Sequence, residues 1–569
     1  MGFLTPAEPG FDVDEWSKLD YQQRLRVSCQ EWAMRGFGAP GVAYTFYVFK
    51  LALYLGGFVL FALTTQGVDS LGEIASWWSL PAVFEKAVLW TMLYEMLGFG
   101  CGSGPLTGHF MPPVTAFLSF LRPGTLRLAP FGWMPGTSGD RRTFVDVALY
   151  VGSLSAILVA LCSSEIRTAN VLTIVGVMLL LGLRDKTAFL AARPEHYLLT
   201  TLVFAFPADV IPGAKAIQVA LWLGAASSKL THHFPSVFAV MTSNNPFNRI
   251  PAIRRLLYRD FPNDLRSSQV AFALAHAATV IEFDLPLLLV VTTSGPLHTF
   301  ALVGIVTFHL LILTSFPMGV PLEWNAFFIY SAVTLFGEHA SVRIWDLHSP
   351  VLATILFLSA VVVPIIGNLR PDKVSFLPSM RYYAGNWAFG TWVMRPGVAE
   401  EIDDALPTSS TTMKRQIDKL QGPGHDKLAV GRGQAFRAMH LHGRMLTNLI
   451  ELAIADLTDP AGGPRAIDDF DIYDGETIAG FVLGWNFGDG HLHDERMIRA
   501  VQTACQFKPG DLRCILVESQ AVGDPFLRWR IFDACTGSIA HGATRVSTLL
   551  DHQPWSNTVD IGTMTGVST

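Results

Sequence analysis

Between residues 43 and 370 apolar stretches alternate with short polar loops. Ten stretches fall near 43–64, 83–101, 143–163, 169–183, 196–211, 214–229, 268–293, 297–317, 324–337 and 350–369. A bilayer core about 30 Å thick takes roughly 20 apolar residues per helical crossing. The pattern predicts an α-helical multi-pass membrane bundle of about ten transmembrane helices over 43–370, several of them short for a full crossing.

The period changes beyond residue 430. Residues 435–457 and 494–505 carry a helical pattern, whereas 470–485, 512–519, 527–534 and 538–544 alternate as strands do. A C-terminal α+β soluble domain with an antiparallel sheet is expected over 431–569. Residues 1–42 form an arm whose helix at 12–34 (Val13, Trp16, Leu19, Leu25, Val27, Trp32) either lies on the bilayer surface or packs on cytoplasmic loops. Residues 371–430 read as an interfacial aromatic segment and a linker, because Trp and Tyr collect at headgroup level. An eleventh crossing at 372–397 is the alternative. The Gly/Pro-rich run at 98–124 reads as a re-entrant segment lining a cavity or as an interfacial helix. Non-helical backbone at membrane depth needs protein or a cavity around it.

Composition agrees with a membrane protein. Half the 569 residues are hydrophobic, 15% are charged, and the mean hydropathy is +0.36, against about 25% charged in soluble chains. Charge gives an orientation. The arm (Lys18, Arg24, Arg26, Arg35) and the loops after the second, fourth and sixth crossings are rich in Arg and Lys. The sixth-crossing loop alone holds Arg249, Arg254, Arg255, Arg259 and Arg266; the intervening loops hold only Arg167, Lys215 and Arg343. Positive loops stay cytoplasmic, so a cytoplasmic N-terminus in the plasma membrane is expected. With ten crossings the C-terminus lies inside too; one crossing more or fewer would move it. The first 40 residues lack the apolar core and cleavage site of a signal peptide.

Ionisable groups inside apolar stretches need a reason to be there. Glu95, His276, Glu282, Asp284 and His309 are such groups. On a helix Glu282 and Asp284 point about 200° apart, whereas His276 and Asp284 can line one cavity. At least one of the two acids should face the bundle interior, paired with His276, His309 or Glu95. They serve a proton relay or headgroup pocket, or hydrogen bonds between helices. Glu323 and Asn325 follow Pro317 and Pro321 where the chain turns between crossings, as ligands or as a capped turn. Lys229, His232 and His233 form a cluster at a membrane edge. His491 and His493, with Asp489, are a metal candidate if they lie on a strand; otherwise they order a polar turn. No other cofactor is expected. The six cysteines show no metal-type spacing. There is no Walker A loop, nucleophile elbow or kinase signature, and no basic domain for nucleic acid. This argues against ATP-driven transport, serine-hydrolase chemistry and nucleic-acid partners.

Two resemblances bear on function. The stretch SSKLTHHFP (227–235) faintly resembles vitamin-K-dependent carboxylases, which carry a Lys at the end of a crossing. The segments RPGTLRL (122–128), GDRRTFVDVALY (139–150), GLRDKTAFLAAR (182–193), YRDFPNDLR (258–266), FPMGVPLEWN (316–325) and GWNFGDGHLH (484–493) resemble the mycobacterial polar growth factor A family. That resemblance implies a role in building the mycolic-acid envelope at growing poles, with trehalose monomycolate as lipid partner and an RND-type mycolate exporter as protein partner. The expected function is an accessory that binds or handles that glycolipid. A membrane enzyme acting on a lipid headgroup and a proton-coupled transporter are the alternatives.

Overall fold

The computed structural model describes residues 2–248, 250–315, 322–458 and 463–557. Arg249, Pro317 and Pro321 lie outside the described residues. Helix α1 (Tyr21–Arg35) starts at Asp20, whose carboxylate accepts the Gln23 N–H at 2.8 Å. The bundle contains α2 (Gly41–Ala62), α3 (Pro81–Met96), α4 (Phe144–Cys162), α5 (Thr168–Arg184) and α6 (Val210–Ser228). It continues through α7 (Phe234–Asn244), the hairpin β1 (Tyr258–Asp260) and β2 (Asp264–Ser267), α8 (Gln269–Val291), α9 (Gly295–Leu313) and α10 (Leu322–Ala332).

Among the described residues six helical stretches, not ten, are long and apolar enough to cross a membrane: Gly41–Ala62, Phe144–Cys162, Pro207–Ser228, Gln269–Val291, Gly295–Leu313 and Pro350–Leu369. The other apolar stretches are shorter or broken. Helix α3 has 16 residues and α5 has 17. The chain at 194–203 is a wide turn followed by one short helix, and α10 gives way to a wide turn at 333–338. Helix α3 is buried along nearly its whole length. A segment sheathed in protein can be short or irregular because its neighbours, not lipid, satisfy its backbone.

The C-terminal region is mixed, as its changing period predicts. Helices α11 (Asp426–Ala438) and α12 (Leu441–Ile454) precede β4 (Asp471–Asp474), α13 (Gly475–Leu483), α14 (Glu495–Cys505), β5 (Leu512–Val517), β6 (Phe526–Asp533) and β7 (Gly537–Arg545). The sheet order is β4-β3-β5-β6-β7, with every neighbouring pair antiparallel. Strand β3 (Phe389–Met394) comes from the aromatic segment read as interfacial; it pairs with both β4 and β5. Its aromatics pack inside protein, and Trp392 is fully buried. The expected long strand at 470–485 is shorter. Asp474 accepts the Glu476 N–H at 2.7 Å and turns the chain into α13.

The arm settles where the C-terminal region lies. The stripe Tyr21, Leu25, Cys29 and Trp32 is buried, and burying each large apolar side chain stabilises by about 2 kcal/mol. Trp32 Nε1 donates to the Val240 carbonyl at 3.3 Å, and its ring lies 5.3 Å from that of Phe436. Arg24 pairs with Asp468 at 2.5 Å. The helix therefore packs on α7 and α11. The Arg-rich loops join this face: Arg496 donates to the Ala129 carbonyl at 2.8 Å, and Leu265 N–H to Gln553 at 3.1 Å. The charge-poor loops meet one another, with Gln66 N–H on Ser164, His339 on the Ser79 carbonyl, and Lys215 on the His339 carbonyl. Arm, Arg-rich loops and C-terminal region thus share one end of the bundle.

The Gly/Pro-rich run is wedged beneath that region. His109 is fully buried between the Gly102 carbonyl (3.0 Å) and the Gly480 carbonyl (3.1 Å). Gln416 Oε1 accepts the N–H groups of Phe110 and Met111 at 2.8 and 2.9 Å. A Cβ on Gly480 would meet the Thr107 carbonyl oxygen at 1.6 Å, so α13 sits backbone to backbone on this run. Bundle and C-terminal region share one continuous hydrophobic core.

Candidate functional site

Two cavities adjoin where the C-terminal region covers the bundle. The first is an apolar groove of about 370 Å³ between α6, α7, α8, α9 and α10. Phe234, Phe238, Phe308 and Phe328 line it, together with polar groups that include Lys229, Glu282, His309 and Asn325. Lys229 and Glu282 form a buried ion pair. His309 Nε2 accepts from Trp222 Nε1 at 2.9 Å, and its Nδ1 lies 2.9 Å from Asn325 Oδ1. Of the two acids on α8, Glu282 faces the interior, as the 200° argument requires of at least one. Its partner is Lys229 rather than a histidine or Glu95. Asp284 is exposed. His276 is half-buried against Phe272, with ring centroids 4.4 Å apart, and does not join Asp284 in a cavity.

Val237, Met241 and Tyr383 also line the second cavity, a tight chamber of about 60 Å³. Lys50, Cys101 and Ser103 bound it on the bundle side; Arg437, His440, Glu476 and Asn486 bound it on the C-terminal side. Asn486 is 1% exposed, yet among the described residues neither its amide nitrogen nor its oxygen has a hydrogen-bond partner. Burial holds the Glu476 carboxyl above the usual carboxylate range, against the opposing pull of Arg437, its ion-pair partner. Burial also pushes the His440 imidazole down to about 3, so it is neutral and hydrogen-bonds the Phe436 carbonyl at 2.6 Å.

A charged cluster lies beneath the chamber. Arg193, fully buried at a positive φ of 53°, donates through Nε to Glu195 at 2.8 Å and through Nη1 to Cys101 Sγ at 3.0 Å. Its Nη1 lies 3.9 Å from Glu95 Oε1. Trp324, Phe487 and Tyr382 surround the guanidinium at 4.3, 5.1 and 5.7 Å from their ring centroids, and Tyr382 OH donates to Glu195 at 3.1 Å. Lys50 reaches Ser103 Oγ at 2.7 Å and the Gly100 carbonyl at 3.2 Å. Glu95 and Glu323, some 230 positions apart in sequence, have ligand atoms within 4.8 Å of each other and of Cys101.

The histidine motifs separate. His232 is exposed, whereas His233 is buried with Nε2 2.9 Å from Gln520 Oε1. His491 sits between Asp489 (3.4 Å, at Nδ1) and Glu518 (3.0 Å, at Nε2). The two carboxylates use opposite ring nitrogens, so one ion cannot take His491 and both acids. His491 and His493 fall on a single helical turn and its end, not on a strand. His493 is fully buried against Gly390 and Gly475, and burial pushes its imidazole down to about 4. The strand that the metal reading at His491, His493 and Asp489 required is therefore absent from this segment.

Sequence reasoning found Glu95, Glu323, Lys229, Glu282, His309 and Asn325, and missed Lys50, Cys101, Arg193, Glu195, Glu476 and Asn486. Lys50 carried a usable signal: one Lys in the middle of an apolar run. Arg193 read as loop charge, although its surroundings are among the most buried in the protein.

The whole chain matches one family model, over residues 1–565. The protein belongs to the family of transmembrane proteins of unknown function DUF3556. No curated protein and no solved structure matches it.

Proposed function

We propose that this membrane protein binds a long-chain lipid with a sugar headgroup, chain in the groove and headgroup at the chamber. The observation that carries the reading is the junction of the two cavities at Val237, Met241 and Tyr383. Ligand sites of this kind are mostly apolar, with a few placed polar groups that give specificity. The groove alone falls within the usual range of roughly 300–1,000 Å³. The chamber holds only a water or two as it stands, at about 30 Å³ per water, so a headgroup enters by displacing the aromatic side chains around Asn486. Aromatic faces beside a carboxylate, a guanidinium and an unpartnered amide suit a polyol. The resemblance to the polar growth factor A family makes trehalose monomycolate the first lipid to test and a mycolate exporter the first partner.

The test is mass spectrometry of lipid retained by the detergent-purified chain. A sugar-headed long-chain lipid is the expected result. Ala278→Trp, which fills the groove, should lose it; Asn486→Ala should retain lipid but with no preference over phospholipid. Only bulk phospholipid in all three proteins would overturn the reading.

The Arg-rich end is proposed as cytoplasmic, on the charge rule. Cys162 and Cys535 are both exposed and sit at opposite ends of the protein. A membrane-impermeant thiol reagent on intact cells should label Cys162 and spare Cys535. The converse pattern would reverse the orientation.

A further inference from the structure

We infer that Glu95, Cys101 and Glu323 form a zinc site beneath the chamber, with its open coordination position facing the chamber. The three donor atoms lie within 4.8 Å of one another and all three residues are buried. Cys101 Sγ is 3.3 Å from Glu95 Oε1 and 3.8 Å from Glu323 Oε1. A tetrahedral zinc about 2.3 Å from sulfur and about 2.1 Å from oxygen sets those atoms about 3.6 Å apart, between the two observed values. A thiol has one proton and can satisfy only one of the carboxylates. Glu323, 1% exposed, keeps Oε2 without a hydrogen-bond partner among the described residues.

Charge points the same way. Three carboxylates (Glu95, Glu195, Glu323) share this interior with Arg193 and Lys50. Once a bound cation displaces the Cys101 proton, the set carries two excess negative charges, and one divalent cation cancels both. Buried charge without compensation is strongly unfavourable. Arg193 Nη1, 3.0 Å from Cys101 Sγ, stabilises the thiolate a metal needs, while its ion pair with Glu195 at 2.8 Å fixes its direction. This is the outer-shell support metal ligands usually have. A thiolate among the donors selects zinc over magnesium or calcium. Three protein ligands plus an open position are the pattern of reactive rather than purely structural zinc. Cys101, with Gly100 beside it, borders the chamber, and the open position is assigned to that side.

The inference is independent of the lipid reading, because its test counts metal rather than lipid. The full chain is purified in detergent, loaded with Zn²⁺, freed of loose metal and measured by elemental analysis. About one zinc per chain is expected. Cys101→Ser and Glu323→Gln should each weaken retention at least about tenfold, the usual scale for damaging a metal shell, while His491→Ala leaves it unchanged. Should either variant fold poorly, Co²⁺ loading of the wild-type chain gives a second measurement. A thiolate-to-cobalt charge-transfer band should appear and be competed away by Zn²⁺. A wild-type chain without retained zinc and without that band would overturn the site, and so would zinc that is lost on changing His491.

Discussion

The groove and the cluster beneath the chamber both bury charge, but they balance it differently. In the groove one cation meets one anion: Lys229, at the end of α6, on Glu282 of α8. Beneath the chamber Arg193 meets Glu95, Glu195 and Cys101, and three aromatic rings enclose it. The first arrangement is self-contained and can be replaced as a unit. The second has acid in excess and unpartnered atoms on Arg193, Glu195 and Glu323. A neutral pair holds a structure together; an unbalanced set is built to take something more.

The sharpest way to break this comparison is at Arg193. Arg193→Met removes the only guanidinium among these carboxylates and should destabilise by about 4 kcal/mol, as loss of one partner of a buried pair does. Thermal unfolding in detergent should show the largest drop of any single variant in the bundle. A shift no larger than that of Lys229→Met would place the two sites in one class.

Lys229→Met should cost about 3 kcal/mol, because Glu282 is left buried and unpaired. Combining it with Glu282→Leu should recover most of that loss. The same rescue attempted below the chamber, Arg193→Met with Glu195→Leu, should recover far less, since Glu95 and Glu323 stay behind. Full recovery in both cycles would abolish the distinction.

Acid should act on the chamber through His440. Burial depresses the folded-state imidazole of His440 to about 3, whereas the unfolded value is near 6.5. The stability this neutral histidine contributes is complete above pH 6.5 and is lost as pH falls toward 3. At pH 5 the loss is about 2 kcal/mol, from 1.36 kcal/mol per unit. Glu476, raised by burial, gains its proton over the upper part of that range and opposes this loss by a similar amount, so the two must be separated by mutation. His440→Gln should remove the histidine loss, so its stability should rise relative to the wild type between pH 7 and 5 in a thermal-shift series. An unchanged slope would remove His440 as its source.

The smallest expected effect is at Asp284. It is exposed and no ion pair is seen for it among the described residues, so Asp284→Asn should change thermal stability by less than about 0.5 kcal/mol. A larger loss would mean that the outer face of α8 is covered by a partner.

Hydrophobic pattern alone supports a multi-pass helical bundle followed by a mixed α/β region, because removing apolar surface from water and satisfying the backbone inside a bilayer leave few alternatives. The alternation of charged and uncharged loops likewise predicted which loops share an end, and hydrogen bonds such as Arg496 to Ala129 agree with it. The number of long crossings was not legible. Helix α3 and the turn at 194–203 are apolar because protein surrounds them, and apolar composition does not tell protein from lipid as a neighbour. Strand β3 was hidden for the same reason, since an aromatic run reads alike at a membrane edge and in a sheet centre.

Within the site, Glu282 could be placed inside from helical geometry, but its partner Lys229 stands 53 positions away on another element. Cys101 looked like an isolated thiol. Only the folded chain brings it to Glu95, Glu323 and Arg193, across as many as 222 positions. Sequence determines which residues are expensive to bury, because that is a property of each side chain. Tertiary structure decides which of them offset one another, because compensation depends on distance in space.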